Sequence, residues 1–123
     1  MNPFKPLYKK CNVGSAASKY AALADGPIII DVEPTNLCNF RCKFCPTGLG
    51  ALGRPSGFMS RDTHDAILMA TSPFKTAIRY INWGEPLMHP EIAGFVEAAT
   101  YAGRLPHINT NASKLTPELA EAL

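Results

Sequence analysis

Three of the four cysteines in this chain crowd into eight residues, and this crowding limits the possible folds more than any other feature. Cys38, Cys42 and Cys45 follow the spacing C-x3-C-x2-C. The sequence shows no apolar signal-peptide core and no stretch of about 18 apolar residues that could span a bilayer. We therefore expect a cytoplasmic protein without a membrane partner, in which crowded cysteines favour metal or redox chemistry over disulfides.

The composition is that of a folded globular domain. The chain has 123 residues, of which 46% are hydrophobic and 18% are charged, which argues against disorder and allows a buried core. The net charge is only +2, and the longest basic run is Lys9-Lys10. The sequence therefore gives no sign of a nucleic-acid partner.

Strand and helix patterns alternate along most of the chain. Residues 1–26 are predicted to be an N-terminal leader or extension, with a short Ala-rich helix at 15–24. Residues 27–123 are predicted to form the core domain, with strands at 28–32, 77–83 and 105–109. Helices are predicted at 61–71 after the N-cap Ser60, from Pro90 to a stop at Gly103, and from Thr116 onward.

This alternation predicts an α/β fold. Three successive strand–helix units favour a parallel sheet with right-handed crossovers. A closed barrel of eight such units takes about 200 residues or more. We therefore expect a partial (β/α) TIM-like barrel with only about the first three β/α units, and a chain that is a fragment of a longer protein.

The cysteines lie in the loop that follows the first predicted strand, on the side where α/β folds bind ligands. Three thiolates could hold a [4Fe–4S] cluster and leave one iron without a protein ligand. A structural zinc site usually has four Cys or His ligands, and neither Cys11 nor His64 has ligand spacing to the three cysteines. The iron–sulfur and zinc interpretations both stay open at this point.

Polar segments also follow the second and third predicted strands. Glu85 and the strand-end carbonyls could accept hydrogen bonds from an ammonium group, while Gly84 would let the backbone approach a ligand. Asn109 and Asn111 could bond a ribose, a carboxylate or the turn itself. Taken alone, each segment is more typical of a structural turn than of a ligand site.

Taken together, the three segments resemble the radical SAM superfamily. The cysteine spacing, with Phe44 before the last cysteine, is similar to the family's cluster motif. Gly84-Glu85-Pro86 resembles the family's Gly-Gly-Glu-Pro motif with Trp83 in place of the first glycine, and Thr110-Asn111-Ala112 resembles a Thr-Asn-Gly element. The resemblance implies that Cys38, Cys42 and Cys45 are the metal ligands. It also implies a set of cofactor-binding residues, which are Phe44, Trp83, Gly84, Glu85, Pro86, Asn109 and Asn111.

The resemblance also implies an activity. A radical SAM enzyme binds a [4Fe–4S] cluster and S-adenosylmethionine, and cleaves the latter reductively to a 5′-deoxyadenosyl radical that abstracts hydrogen from a substrate. The substrate would be a peptide or a small molecule, and the one-electron reductant a protein such as flavodoxin or ferredoxin. No catalytic side chain is assigned in this chain.

Residues 45–48, 57–60 and 84–90 look most like the branch of the family with a C-terminal SPASM extension, which carries auxiliary clusters. Two alternatives remain. The chain could be a truncated relative that binds a cluster without catalysis, or a zinc-binding structural module.

Overall fold

The computed structural model of the chain describes residues 2–11, 14–23 and 26–123. Its sheet has three strands, β1 (Ile29–Val32), β2 (Ala77–Tyr80) and β3 (Leu105–Ile108), paired in parallel in the order β1-β2-β3. The predicted parallel α/β arrangement is therefore confirmed. β2 ends earlier than predicted because the backbone at Asn82 adopts a φ of 114°, outside the extended region.

Five helices accompany the sheet in the described residues. They are α1 (Lys5–Cys11), α2 (Ala16–Leu23), α3 (Arg61–Ala70), α4 (Ile92–Tyr101) and α5 (Pro117–Ala122). The predicted cap at Ser60 is confirmed, since Ser60 accepts a hydrogen bond from the Thr63 N–H. The helix start predicted at Thr116 is also confirmed, and Thr116 caps α5 by accepting a hydrogen bond from the Leu119 N–H. Gly103, at a φ of 72°, follows α4 as predicted.

The predicted helix start at Pro90 is wrong. Pro86–Met88 forms a short 3-10 helix after β2, and α4 begins only at Ile92 with Glu91 as its cap residue. The His89 ring explains the delay, because its Nδ1 accepts the Glu91 N–H at 3.1 Å while its Nε2 lies 2.9 Å from the Met59 carbonyl oxygen. This side chain holds the connection in a non-helical turn.

The core lies between one face of the sheet and helices α3 and α4. Alternate strand residues face these helices because successive side chains of a strand point to opposite faces. The buried cluster comprises Val32, Leu68, Ile78, Tyr80, Leu87, Ile92, Phe95, Val96 and Ala99. It fixes the strand ends, and with them the loops that follow.

The N-terminal segment contains two helices. The predicted helix at 15–24 is confirmed as α2, whereas the sequence did not predict α1. Phe4 lies just ahead of α1 and packs against His107 of β3, with ring centroids 5.8 Å apart. None of the described helices is both long and apolar enough to cross a membrane.

Candidate cofactor site

The loop after β1 is closed at its base by hydrogen bonds. Thr35 Oγ1 donates to the Gly57 carbonyl at 2.7 Å, and Asn36 Nδ2 donates to the Pro55 carbonyl at 2.8 Å. The Gly57 N–H returns a bond to Asn36 Oδ1 at 2.8 Å. Because Thr35 and Asn36 are buried, these bonds join the two ends of the cysteine loop to each other out of contact with solvent.

The cysteine loop is tightly turned. The Cys45 N–H donates to the Cys42 carbonyl at 3.1 Å, and the Leu49 N–H donates to the Cys45 carbonyl at 3.0 Å. A Cβ atom on Gly48 would lie 2.5 Å from the Cys42 carbonyl oxygen, so only glycine fits this approach. Cys38, Cys42 and Cys45 are partly buried and form no disulfides.

The local hydrogen bonds favour the thiolate form of one cysteine. The pKa of Cys45 lies below its usual value chiefly because the Gly48 N–H donates to its sulfur; burial opposes this shift and Thr47 adds to it. A thiolate is the form that binds metals.

The loop after β2 rests directly on the backbone that leads into Cys38. The Glu85 N–H donates to the Leu37 carbonyl at 2.8 Å. A Cβ atom on Gly84 would lie only 1.8 Å from the Thr35 carbonyl oxygen. The close approach predicted at Gly84 is therefore made by the chain's own backbone.

The Glu85 carboxylate ties this loop to the loop after β3. Its Oε1 accepts the Leu87 N–H at 2.9 Å and the Thr110 hydroxyl at 2.6 Å, while its Oε2 accepts the Asn111 N–H at 2.7 Å. Glu85 is 2% exposed, which leaves little room for an external ammonium group at this carboxylate. Two kinds of acceptor were predicted for an ammonium group, the Glu85 carboxylate and the backbone carbonyls at the strand ends. Only the carbonyls remain available.

Trp83 is fixed through its backbone. Its N–H donates to Glu33 Oε1 at 3.1 Å, and its carbonyl accepts the Thr47 hydroxyl. Glu33 also pairs with Arg54, so that one carboxylate joins the loops after β1 and β2. Trp83 as a whole is 41% exposed. Glu33 is a site residue that was not predicted from the sequence, although a carboxylate directly after β1 is a signal for one.

The other predicted cofactor residues lie around these loops. Phe44 is 89% exposed beside the cysteines, and Pro86 is buried at the start of the 3-10 helix. Asn109 is exposed at the end of β3, and Asn111 is partly buried. The structure thus brings the three predicted segments together at the carboxyl ends of the three strands.

A cavity of about 430 Å³ lies beside the cysteine loop. Its lining includes Asn36, Cys38, Arg41, Gly48 and Ser56. Ligand pockets in proteins are typically about 300–1,000 Å³, so the space is of the size that a small ligand needs.

The zinc interpretation finds no fourth ligand in His64. This side chain is buried in the core, where it stacks on Phe95 with ring centroids 4.2 Å apart and its Nε2 lies 2.8 Å from the Tyr80 hydroxyl. The side chain of Cys11, the other candidate for a fourth zinc ligand, is not among those that the structure describes. Within the described part of the chain, no three His, Cys, Asp or Glu side chains are arranged to hold a single metal ion.

Comparisons with known proteins agree with this arrangement. The family model described as the Radical SAM superfamily matches residues 32–123. An AdoMet-dependent heme synthase from Methanosarcina barkeri is 29% identical over 102 residues, which cover 83% of this chain and 29% of that protein.

Two solved structures have a similar fold. BtrN in complex with AdoMet and 2-DOIA has a TM-score of 0.67 at 26% identity, covering 76% of this chain and 39% of that one. BtrN in an open conformation has a TM-score of 0.66 at 26% identity, covering 76% and 43%. The chain thus spans less than half the length of each of these proteins.

Proposed function

Because this chain belongs to the radical SAM superfamily, we propose that it binds a [4Fe–4S] cluster through Cys38, Cys42 and Cys45, with S-adenosylmethionine beside it. The main support is the meeting of three strand-end loops at the cysteines. Glu85 bonds the backbone next to Cys38 on one side and Asn111 on the other. This contact joins all three segments of the family resemblance in one site.

The residues present fit such a cluster. The donor set is three thiols on one loop, and iron–sulfur clusters are held by cysteine thiolates. Each cysteine would bind a different iron, so the three sulfurs need not converge on one point as the ligands of a single ion must. With three ligands for four irons, one iron would remain open to S-adenosylmethionine.

The chain's own residues would hold and orient the cofactor. The exposed aromatic side chains of Phe44 and Trp83 offer surfaces for the adenine ring, and the strand-end carbonyls offer acceptors for the amino group. Asn109 offers an exposed amide for the ribose or carboxylate. When bound and reduced, the cluster supplies one electron that splits S-adenosylmethionine into methionine and a 5′-deoxyadenosyl radical, which takes a hydrogen atom from the substrate.

The substrate and the partners also belong to this proposal. The substrate is a peptide or a small molecule, and the electron comes from a one-electron reductant such as flavodoxin or ferredoxin. A longer protein with a SPASM extension is supported only by the resemblance of residues 45–48, 57–60 and 84–90. An in-frame coding sequence downstream with further cysteine motifs would test that part, and its absence would contradict it.

Metal content tests the cluster directly. After anaerobic reconstitution we expect a brown protein with about four irons and four sulfides per chain. Cys42→Ala should lose this content, whereas Cys11→Ala, a cysteine outside the motif, should keep it. A colourless protein with one tightly bound zinc, lost in Cys11→Ala, would establish the zinc module instead.

Cofactor cleavage tests the non-catalytic alternative. The reconstituted chain, given dithionite and S-adenosylmethionine, should release 5′-deoxyadenosine above the level of Cys42→Ala. If the cluster forms but no 5′-deoxyadenosine appears above that level, the chain binds the cluster without catalysis.

A further inference from the structure

We propose that the side-chain amide of Asn111 is an outer-sphere donor to the sulfur of Cys38 and raises the reduction potential of the cluster. The inference rests on the proposed function, since it needs a cluster on Cys38. It assigns Asn111 to the cysteine ligand, whereas the sequence resemblance placed it among the groups that contact S-adenosylmethionine. Asn111 would therefore act on the cluster through Cys38 by changing the reduction potential, without contacting the substrate.

The amide orientation follows from the bonds of its oxygen. Asn111 Oδ1 accepts the Ser113 N–H at 2.9 Å and the Ser113 hydroxyl at 2.7 Å. The nitrogen must then face the cysteine loop, where it lies 3.2 Å from Asn39 Oδ1 and 4.0 Å from Cys38 Sγ. The flipped amide would place its nitrogen against the Ser113 N–H and its oxygen against Asn39 Oδ1, and both contacts would be repulsive.

Two further contacts hold Asn111 in this place. Glu85 Oε2 accepts the Asn111 N–H at 2.7 Å, and the Glu85 N–H is bonded to Leu37, next to Cys38. Asn39 Nδ2 donates to Ser113 Oγ at 2.8 Å, which joins the two loops a second time. The same hydrogen bonds between the two loops therefore hold both the Asn111 amide and the Cys38 sulfur in place. Neither group lies at the end of a long side chain.

The chemistry of the contact gives its direction. Cys38 Sγ already accepts the Phe40 N–H at 3.4 Å, and the Asn111 amide brings a second N–H dipole toward the same sulfur. A reduced cluster carries one more negative charge than an oxidised one, so donors to its sulfur ligands stabilise the reduced form more. Hydrogen bonds to the sulfurs are among the factors that set cluster potentials.

The test is a potentiometric titration of the reconstituted chain, followed by the EPR signal of the reduced cluster. Asn111→Ala should shift the midpoint potential to a more negative value, by up to a tenfold change in the equilibrium constant, or about 59 mV for a one-electron couple. Asn111→Asp keeps the shape but presents a charged oxygen, and should shift the potential at least as far. Thr100→Ala, a polar-to-alanine change on α4, should leave the potential unchanged.

The outcomes separate this inference from the proposed function. If the unmodified chain forms no cluster, the proposed function fails and this inference fails with it. If the cluster forms normally and Asn111→Ala has the unmodified potential or a higher one, the inference alone is overturned. Should Asn111→Ala not assemble a cluster, Asn111→Leu, which keeps the size of the side chain and removes the donor without adding a charge, decides by the same criterion.

Discussion

The buried carboxylate of Glu85 accepts hydrogen bonds from three donors, which lie on the loops after β2 and β3. Neither the number of these bonds nor their partners could be predicted from the sequence. The Gly-Glu-Pro pattern suggested only that a carboxylate stands at a strand end. The three-dimensional packing of two loops, far apart in the sequence, decides that it bonds the chain itself.

Glu85→Gln should destabilise the fold by about 1–3 kcal/mol, because the new NH₂ group must face groups that are themselves donors. In one orientation it faces the Asn111 N–H, and in the other it faces the Leu87 N–H and the Thr110 hydroxyl. Urea denaturation of the chain measures this loss. Glu97→Gln, an exposed change on α4, should stay within about 0.5 kcal/mol of the unmodified chain. Equal stability of the two variants would contradict the role given to Glu85.

Gly84→Ala should lower the free energy of unfolding by about 1–3 kcal/mol, since the added methyl group would overlap the Thr35 carbonyl and force two loops apart. Gly57→Ala serves as the matched control because a Cβ atom there meets nothing within 4 Å. Thermal unfolding of both variants should show a lowered midpoint only for Gly84→Ala. A similar midpoint for the two would mean that the approach of Gly84 to Thr35 is not tight.

Ala112→Gly should stabilise the chain by roughly 0.5 kcal/mol. Ala112 has a φ of 61°, a left-handed conformation that costs an L-residue about 1–2 kcal/mol, and glycine's greater freedom in the unfolded chain offsets part of the gain. Ala66→Gly, in the middle of α3, should instead destabilise by about 1 kcal/mol. Denaturation curves that shift in the same direction for both changes would refute the strain at Ala112.

At the scale of secondary structure, the elements with local signals were predicted well. α3 and α5 begin where Ser60 and Thr116 cap them, and α4 ends before Gly103, because each signal acts within one turn of the helix. The start of α4 was missed because His89 bonds a distant carbonyl, that of Met59. Such a contact depends on tertiary structure and leaves no local pattern.

The packing of α3 on β2 should make stability depend on pH through His64. Burial lowers the pKa of His64, so the neutral ring is favoured in the folded state, while an unfolded histidine binds a proton near pH 6.5. The unfolded state therefore binds more protons below that pH, and the free energy of unfolding should fall as the pH is lowered from 7.5 to 5.5.

Denaturation at a series of pH values checks this dependence. His64→Phe keeps the stacking on Phe95 and should flatten the decrease between pH 6.5 and 5.5. His107→Phe, on the opposite face of the sheet, should retain the decrease. If His64→Phe keeps the full slope and His107→Phe removes it, the assignment to His64 is wrong.

At the scale of the whole molecule, topology explains why widely spaced motifs form one site. Parallel strands place their carboxyl ends at one edge of the sheet, so the loops after β1, β2 and β3 meet there. Both the parallel direction of the strands and the position of each motif after a strand could be predicted from the alternation of strand and helix. The bonds between the loops could not, because they join residues such as Asn39 and Ser113 that are far apart in the sequence.

The open iron is the central claim, and Mössbauer spectroscopy of the chain reconstituted with ⁵⁷Fe tests it most directly. The spectrum should show one [4Fe–4S] cluster, and addition of S-adenosylmethionine should change the signal of one iron in four. A spectrum without such a cluster, or a cluster whose four irons are all unaffected by S-adenosylmethionine, would contradict the account.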